Sequence, residues 1–128
     1  MSSFFHKLSF SVATLVLAAV AHAAPIDDYK AFGSIAALSE QCINSAQISE
    51  RINIVVPAAV QKNPEITPIM ESLIQAYNAA YTKAMVDGQI WEPSNTGNYG
   101  YSRPINCRNQ EDVRKIKVLH DSILNALN

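Results

Sequence analysis

The chain has 128 residues, one domain's worth, with 10 Lys and Arg against 11 Asp and Glu. That near balance excludes a dedicated nucleic-acid or anionic-membrane binder, which needs clustered positive charge. With 3 His and 2 Cys in all, there is also little material for a metal centre.

Residues 1–23 read as a signal peptide, so the chain is expected to be exported. Lys7 supplies the positive start, Leu15 to Val20 the apolar stretch, and Ala21-His22-Ala23 the small-x-small cleavage site. The apolar run is too short to serve comfortably as a membrane anchor, and no charged stop follows it. Cleavage after Ala23 leaves one domain, Ala24 to Asn128, with a net charge of −2 because Lys7 departs with the leader. No Cys lies at the cut to be acylated, and no later stretch is long and apolar enough to insert in a bilayer.

Four segments then carry helical periodicity. The first runs from about Asp27 to Ile43, capped by Asp27 or Asp28, with Phe32, Ile35, Ala36 and Ile43 on a broad apolar stripe beside Leu38 and Cys42. Gly33 inside it weakens the helix slightly but suits close helix packing. After a break at Asn44-Ser45, the second segment starts near Ser45 or Gln47 and shows Ile48, Ile52, Val55, Val56, Ala59 and Val60. Ile54 to Val56 also fit a short strand, but the helical spacing on both sides decides for helix, kinked or restarted at Pro57.

The third segment has two candidate starts, Asn63-Pro64 and Thr67-Pro68. It keeps Ile66, Ile69, Met70, Leu73, Ile74, Tyr77, Ala80, Tyr81, Ala84 and Met85 on one face, up to a C-cap at Asp87-Gly88. The fourth is capped by Asn109, with Glu111 and Asp112 in its first turn. Val113, Ile116, His120, Ile123, Leu124 and Leu127 face inward, and Val118 faces out. Between them lies Gln89 to Asn106, a long irregular loop rich in Gly, Asn, Ser, Pro and aromatics. Cys42 and Cys107, an even count in an oxidising compartment, pair as a structural disulfide. The fold class is therefore all-α: a compact bundle of about four helices with one long irregular loop and one disulfide.

Chemistry is scarce. His120-Asp121 is the one place where a His neighbours an acid. Adjacent helical residues point about 100° apart, so Asp121 is not expected to orient the imidazole, and His120 reads as a core or interface residue. Glu65, Glu71, Asp87 and Glu92 offer carboxylates, but no spacing selects a glycosidase pair. Met70, Met85 and His120 are poor haem ligands without a C-x-x-C-H attachment site. Arg114, Lys115 and Lys117, with Arg103 and Arg108 nearby, read first as a solvated face and second as a contact for an acidic partner. No catalytic, cofactor or metal site is assigned, and the chain is read as a non-enzymatic binding protein.

The loop carries the binding expectation. It holds the only Trp, two of five Tyr and an Arg, the types that dominate binding hot spots, among adaptable Ser, Gly and Asn. Trp91, Tyr99 and Tyr101 are the expected anchors for a protein partner, with Glu92 and Arg103 as polar contacts. The competing reading has the same rings folding back to close the core.

A processed leader, a helical chain, one long-range disulfide and a polar-aromatic loop resemble the periplasmic immunity proteins of type VI secretion amidase systems. Within that layout, Asp28-Tyr29-Lys30 near the first helix is similar to the family, as is Cys107 before a last helix bearing His120-Asp121-Ser122. The resemblance implies a periplasmic inhibitor that docks its loop into the cleft of a secreted peptidoglycan hydrolase. A periplasmic chaperone for unfolded clients and a small secreted hydrolase are the alternatives. Extracellular secretion and a homodimer are further possibilities.

Overall fold

The computed structural model describes residues 24–128; the expected signal peptide lies outside them. Four helices make up most of the described chain: α1 (Ala24–Ile43), α2 (Gln47–Lys62), α3 (Thr67–Asp87) and α4 (Gln110–Leu127). A 3₁₀ turn, Pro64–Ile66, leads into α3. Two short strands, β1 (Trp91–Pro93) and β2 (Tyr99–Tyr101), pair between α3 and α4. The architecture is the expected helical bundle.

The organising element is α1. Every residue from Ala31 to Ser39 is buried, so this helix runs through the middle of the bundle rather than presenting one stripe. Its sequence permits this, because Ala31, Gly33, Ser34, Ala36 and Ala37 are small on the faces between Phe32, Ile35 and Leu38. α1 packs most extensively on α3 and next on α4. The closest approach is at Gly33, where a Cβ would stand 2.0 Å from the Tyr77 carbonyl oxygen. No side chain fits there.

The other helices each bury one face. α2 contributes Ile48 and Ile52, α3 contributes Met70, Leu73 and Tyr77, and α4 contributes Ile116, Leu119 and Ile123. Of the kink and the restart expected at Pro57, the restart does not occur, because α2 continues through the proline. Pro57 is on the solvent side, and so is Asn53, whose carbonyl loses its helical donor to the proline and meets water instead. Gly88 ends α3 in the left-handed region at φ 75°, donating its N–H to the Ala84 carbonyl. Asn109 caps α4 by accepting from the Asp112 N–H at 3.1 Å.

One disulfide joins Cys42, near the end of α1, to Cys107, just before α4. Asp28 departs from its expected role. α1 begins at Ala24, which leaves Asp27 in the first turn and Asp28 buried beneath the loop instead of at a cap.

Candidate functional site

The segment between α3 and α4 is more ordered than its composition suggested. Trp91 pairs with Tyr101, Glu92 with Gly100 and Pro93 with Tyr99 in an antiparallel hairpin. Gly97 donates to the Ser94 carbonyl at 2.9 Å and Ser94 to the Asn98 carbonyl at 2.7 Å. Gly97 takes φ 87°, the left-handed residue that a tight turn followed by a bulge requires. Strands of three residues are too short for alternation to show, which is why periodicity did not reveal them.

The hairpin base is fastened to the bundle at several points. Ile90 is fully buried, and the Trp91 N–H donates to Ser34 Oγ at 3.1 Å. The Trp91 ring lies under Lys30 Nζ, 3.6 Å from the centroid, and stacks with Tyr99 at 6.0 Å. Tyr101 meets the same indole edge-on at 4.9 Å. The Tyr99 hydroxyl donates to Asp28 Oδ1 at 3.2 Å; burial first, then the Asp28 charge, push its pKa well above the ordinary tyrosine value.

Polar residues complete the attachment. Glu92 accepts from Lys115 Nζ at 2.8 Å. Arg103 makes a two-pronged bond to buried Asp112, at 2.6 and 3.1 Å, and the Asn106 N–H adds a third bond to that carboxylate. The guanidinium, then the Asn106 amide, hold Asp112 below the usual carboxylate range.

The five residues expected to meet a partner therefore divide. Trp91, Tyr99 and Tyr101 form one aromatic cluster, as the composition suggested, but Trp91 and Tyr99 spend much of their surface against α1. Glu92 and Arg103 are tied to α4 on separate bonds. Tyr101, 38% exposed, remains the outermost ring. The solvent-facing part of the hairpin is its tip, Ser94 to Asn98, where five consecutive residues are exposed. Beside it, Glu92, Asn95, Asn98, Tyr101 and Lys115 border a shallow polar depression of about 410 Å³.

Four of the five basic residues of the expected patch are ion-paired. Arg103 pairs with Asp112, Lys115 with Glu92, Arg114 with Glu111 at 3.0 Å and Lys117 with Asp121 at 3.2 Å. Among the described residues, no group of three His, Cys, Asp or Glu side chains is placed to hold a metal ion.

His120 requires a correction. Its side chain is buried, as expected, but Nδ1 lies 3.0 Å from Asp121 Oδ1, so the neighbouring carboxylate does orient the ring. The 100° divergence applies where the side chains leave the helix; Nδ1 lies close to its own Cβ, and one rotation of Asp121 closes the gap. On the other side, Nε2 is 2.7 Å from Ser45 Oγ in the α1–α2 turn. Sequence reasoning missed this Ser, since 75 residues separate the pair and nothing local marks it. It also missed Lys30 and Ser34, whose positions under the hairpin follow only from the tertiary fold. No family model, curated protein or solved structure matches the chain.

Proposed function

We propose that this chain is an exported protein of the periplasm that acts by binding a protein partner. In this reading it is an immunity protein that blocks a cell-wall-degrading amidase of a type VI secretion system with its hairpin. The supporting observation is the contrast between a hairpin base held by ion pairs, ring stacking and burial and a tip whose five residues all face solvent. A projection that is already ordered loses little conformational entropy on entering a cleft, so more of its contact energy becomes affinity. Ser94, Asn95 and Asn98 supply hydrogen bonds at the tip, and Tyr101 supplies an aromatic shoulder behind it.

The test requires a secreted peptidoglycan hydrolase, sought first among the products of the genes flanking this one, and follows release of soluble peptidoglycan fragments. The wild-type protein is expected to inhibit at equal stoichiometry. Replacing Ser94 to Asn98 by a two-residue Asn-Gly turn should weaken inhibition by about 100-fold, on the scale of losing a hot spot, with an unchanged melting temperature. Undiminished inhibition by the shortened hairpin removes the tip from the mechanism. No inhibition by the wild type removes the immunity reading altogether.

A further inference from the structure

We propose that Ser45 is an activated nucleophile, and that Ser45, His120 and Asp121 form a small acyl-ester hydrolase site at the α1–α2 turn. The three groups stand in line: Ser45 Oγ is 2.7 Å from His120 Nε2, and His120 Nδ1 is 3.0 Å from Asp121 Oδ1. In this order the carboxylate favours the tautomer with its proton on Nδ1, leaving Nε2 to accept the serine proton. A Ser–His bond that merely pinned the turn would need no carboxylate behind the ring.

The surroundings fit the chemistry. The His120 side chain is 3% exposed, so the imidazole is shielded from water. Ser45 is half-buried between exposed Asn44 and Ala46, and its hydroxyl meets the buried imidazole from this turn. Asn44 takes φ 53°, making the corner that presents Ser45 ahead of α2. The N-cap of α2, Ala46, offers no side-chain bond to the first turn, and the Gln47 N–H points toward Ser45 Oγ at 3.4 Å. This single amide bears on Oγ itself and favours its charged form as the proton leaves. Asp121 stays below the usual carboxylate range, held first by His120 and further by Lys117.

The reaction needs no redox partner. Ser45 Oγ adds to the ester carbonyl as its proton passes to Nε2. The tetrahedral intermediate expels the alcohol oxygen, which takes that proton and leaves an acyl ester on Ser45. Water then adds to this ester, losing one proton to Nε2, and the collapse returns the proton to Ser45 Oγ and releases the carboxylic acid. Ester and water become acid and alcohol. Because the turn is flanked by exposed residues, the substrate class is small, unhindered acyl esters with little binding outside the reacting carbonyl. None of the hairpin residues takes part, so the two proposals fail independently.

The full chain is treated with a fluorophosphonate probe and, separately, with p-nitrophenyl acetate, native and in guanidinium. The expected results are one adduct on Ser45 in the native protein alone and p-nitrophenol release beyond one equivalent. Ser45→Ala should abolish the adduct and lower the hydrolysis rate by about 100-fold, the scale of losing nucleophile and base together. Asp121→Asn, at a half-exposed position outside the core, should slow labelling at least about tenfold, with Asp121→Glu restoring part of it. Absence of a Ser45 adduct, equal labelling of the unfolded chain, or wild-type labelling in Asp121→Asn would each overturn the proposal.

Discussion

Gly33 is the point where α1 and α3 come closest, and it sets the spacing of the bundle's central pair. Gly33→Ala gains about 1 kcal/mol in helix propensity but forces a methyl group onto the Tyr77 carbonyl, at a cost near the upper end of the ~3 kcal/mol seen for overpacking. A net loss of roughly 2 kcal/mol is expected, read as a lower urea midpoint with an unchanged slope. A midpoint at or above wild type would mean that the two helices are not held at this distance.

Four of the five tyrosines make the molecule sensitive to alkali; Tyr29, like Tyr99, is raised furthest, chiefly by burial. Tyr77 is pushed up to about 12, chiefly by burial, while its hydroxyl bonds Ser49 Oγ at 2.6 Å. Tyr81 is pushed up to about 12 chiefly by its hydrogen bond to the Glu40 carboxylate, with burial second. Both folded values lie above the ordinary 10, so this stability is complete below pH 10 and is lost as pH rises from 10 toward 12. Titration at 295 nm should show these four rings ionising late, together with loss of helical circular dichroism. Simple ionisation near 10 with the helices intact would contradict the arrangement.

The acid limb has the opposite sign. Asp112 is lowered by Arg103 and the Asn106 amide, Asp121 by His120 and Lys117. Their contributions are present above the ordinary Asp pKa of about 3.9 and disappear as pH falls through the lower folded values. Urea midpoints should therefore drop below pH 4, and Asp112→Asn should flatten part of that drop.

At the scale of elements, the helix termini carry separable stability. Asn109→Ala removes the bond that caps α4 and should cost about 1 kcal/mol, with Asn109→Ser retaining most of it. Circular-dichroism melts distinguish the two. The same termini were the most legible features of the sequence. The Asn109 cap, the Gly88 stop and the outward Val118 follow from local rules, because the chemistry of a helix end lies within four residues. Central burial of α1 was not legible: a stripe defined by large apolar residues leaves out Ala31, Ser34 and Ala37, which are buried because they are small. The hairpin and the Ser45–His120 contact were hidden for a related reason. Each is made by residues distant in the chain or in runs shorter than any period.

For the molecule as a whole, the disulfide is the largest single constraint. It closes a loop of 65 residues, which in the chain-entropy model contributes about 4 kcal/mol by restricting the unfolded chain. Cys42→Ala with Cys107→Ala should lower the melting temperature by roughly 20 °C while leaving the helical spectrum in place. A shift of only a degree or two would indicate that native packing at the α1–α4 junction improves once the bridge is gone.

That bridge also gives the polypeptide the form of a ring with two arms. α2, α3 and the hairpin lie inside the covalent circle, while most of α1 and all of α4 extend from its closure point. A single backbone cut anywhere on the circle opens it without separating the pieces. A protease that nicks the projecting tip between Ser94 and Asn98 would leave both fragments migrating as one until a reductant is added. The exposed hairpin tip is thus a place where one break leaves the polypeptide in a single covalent piece.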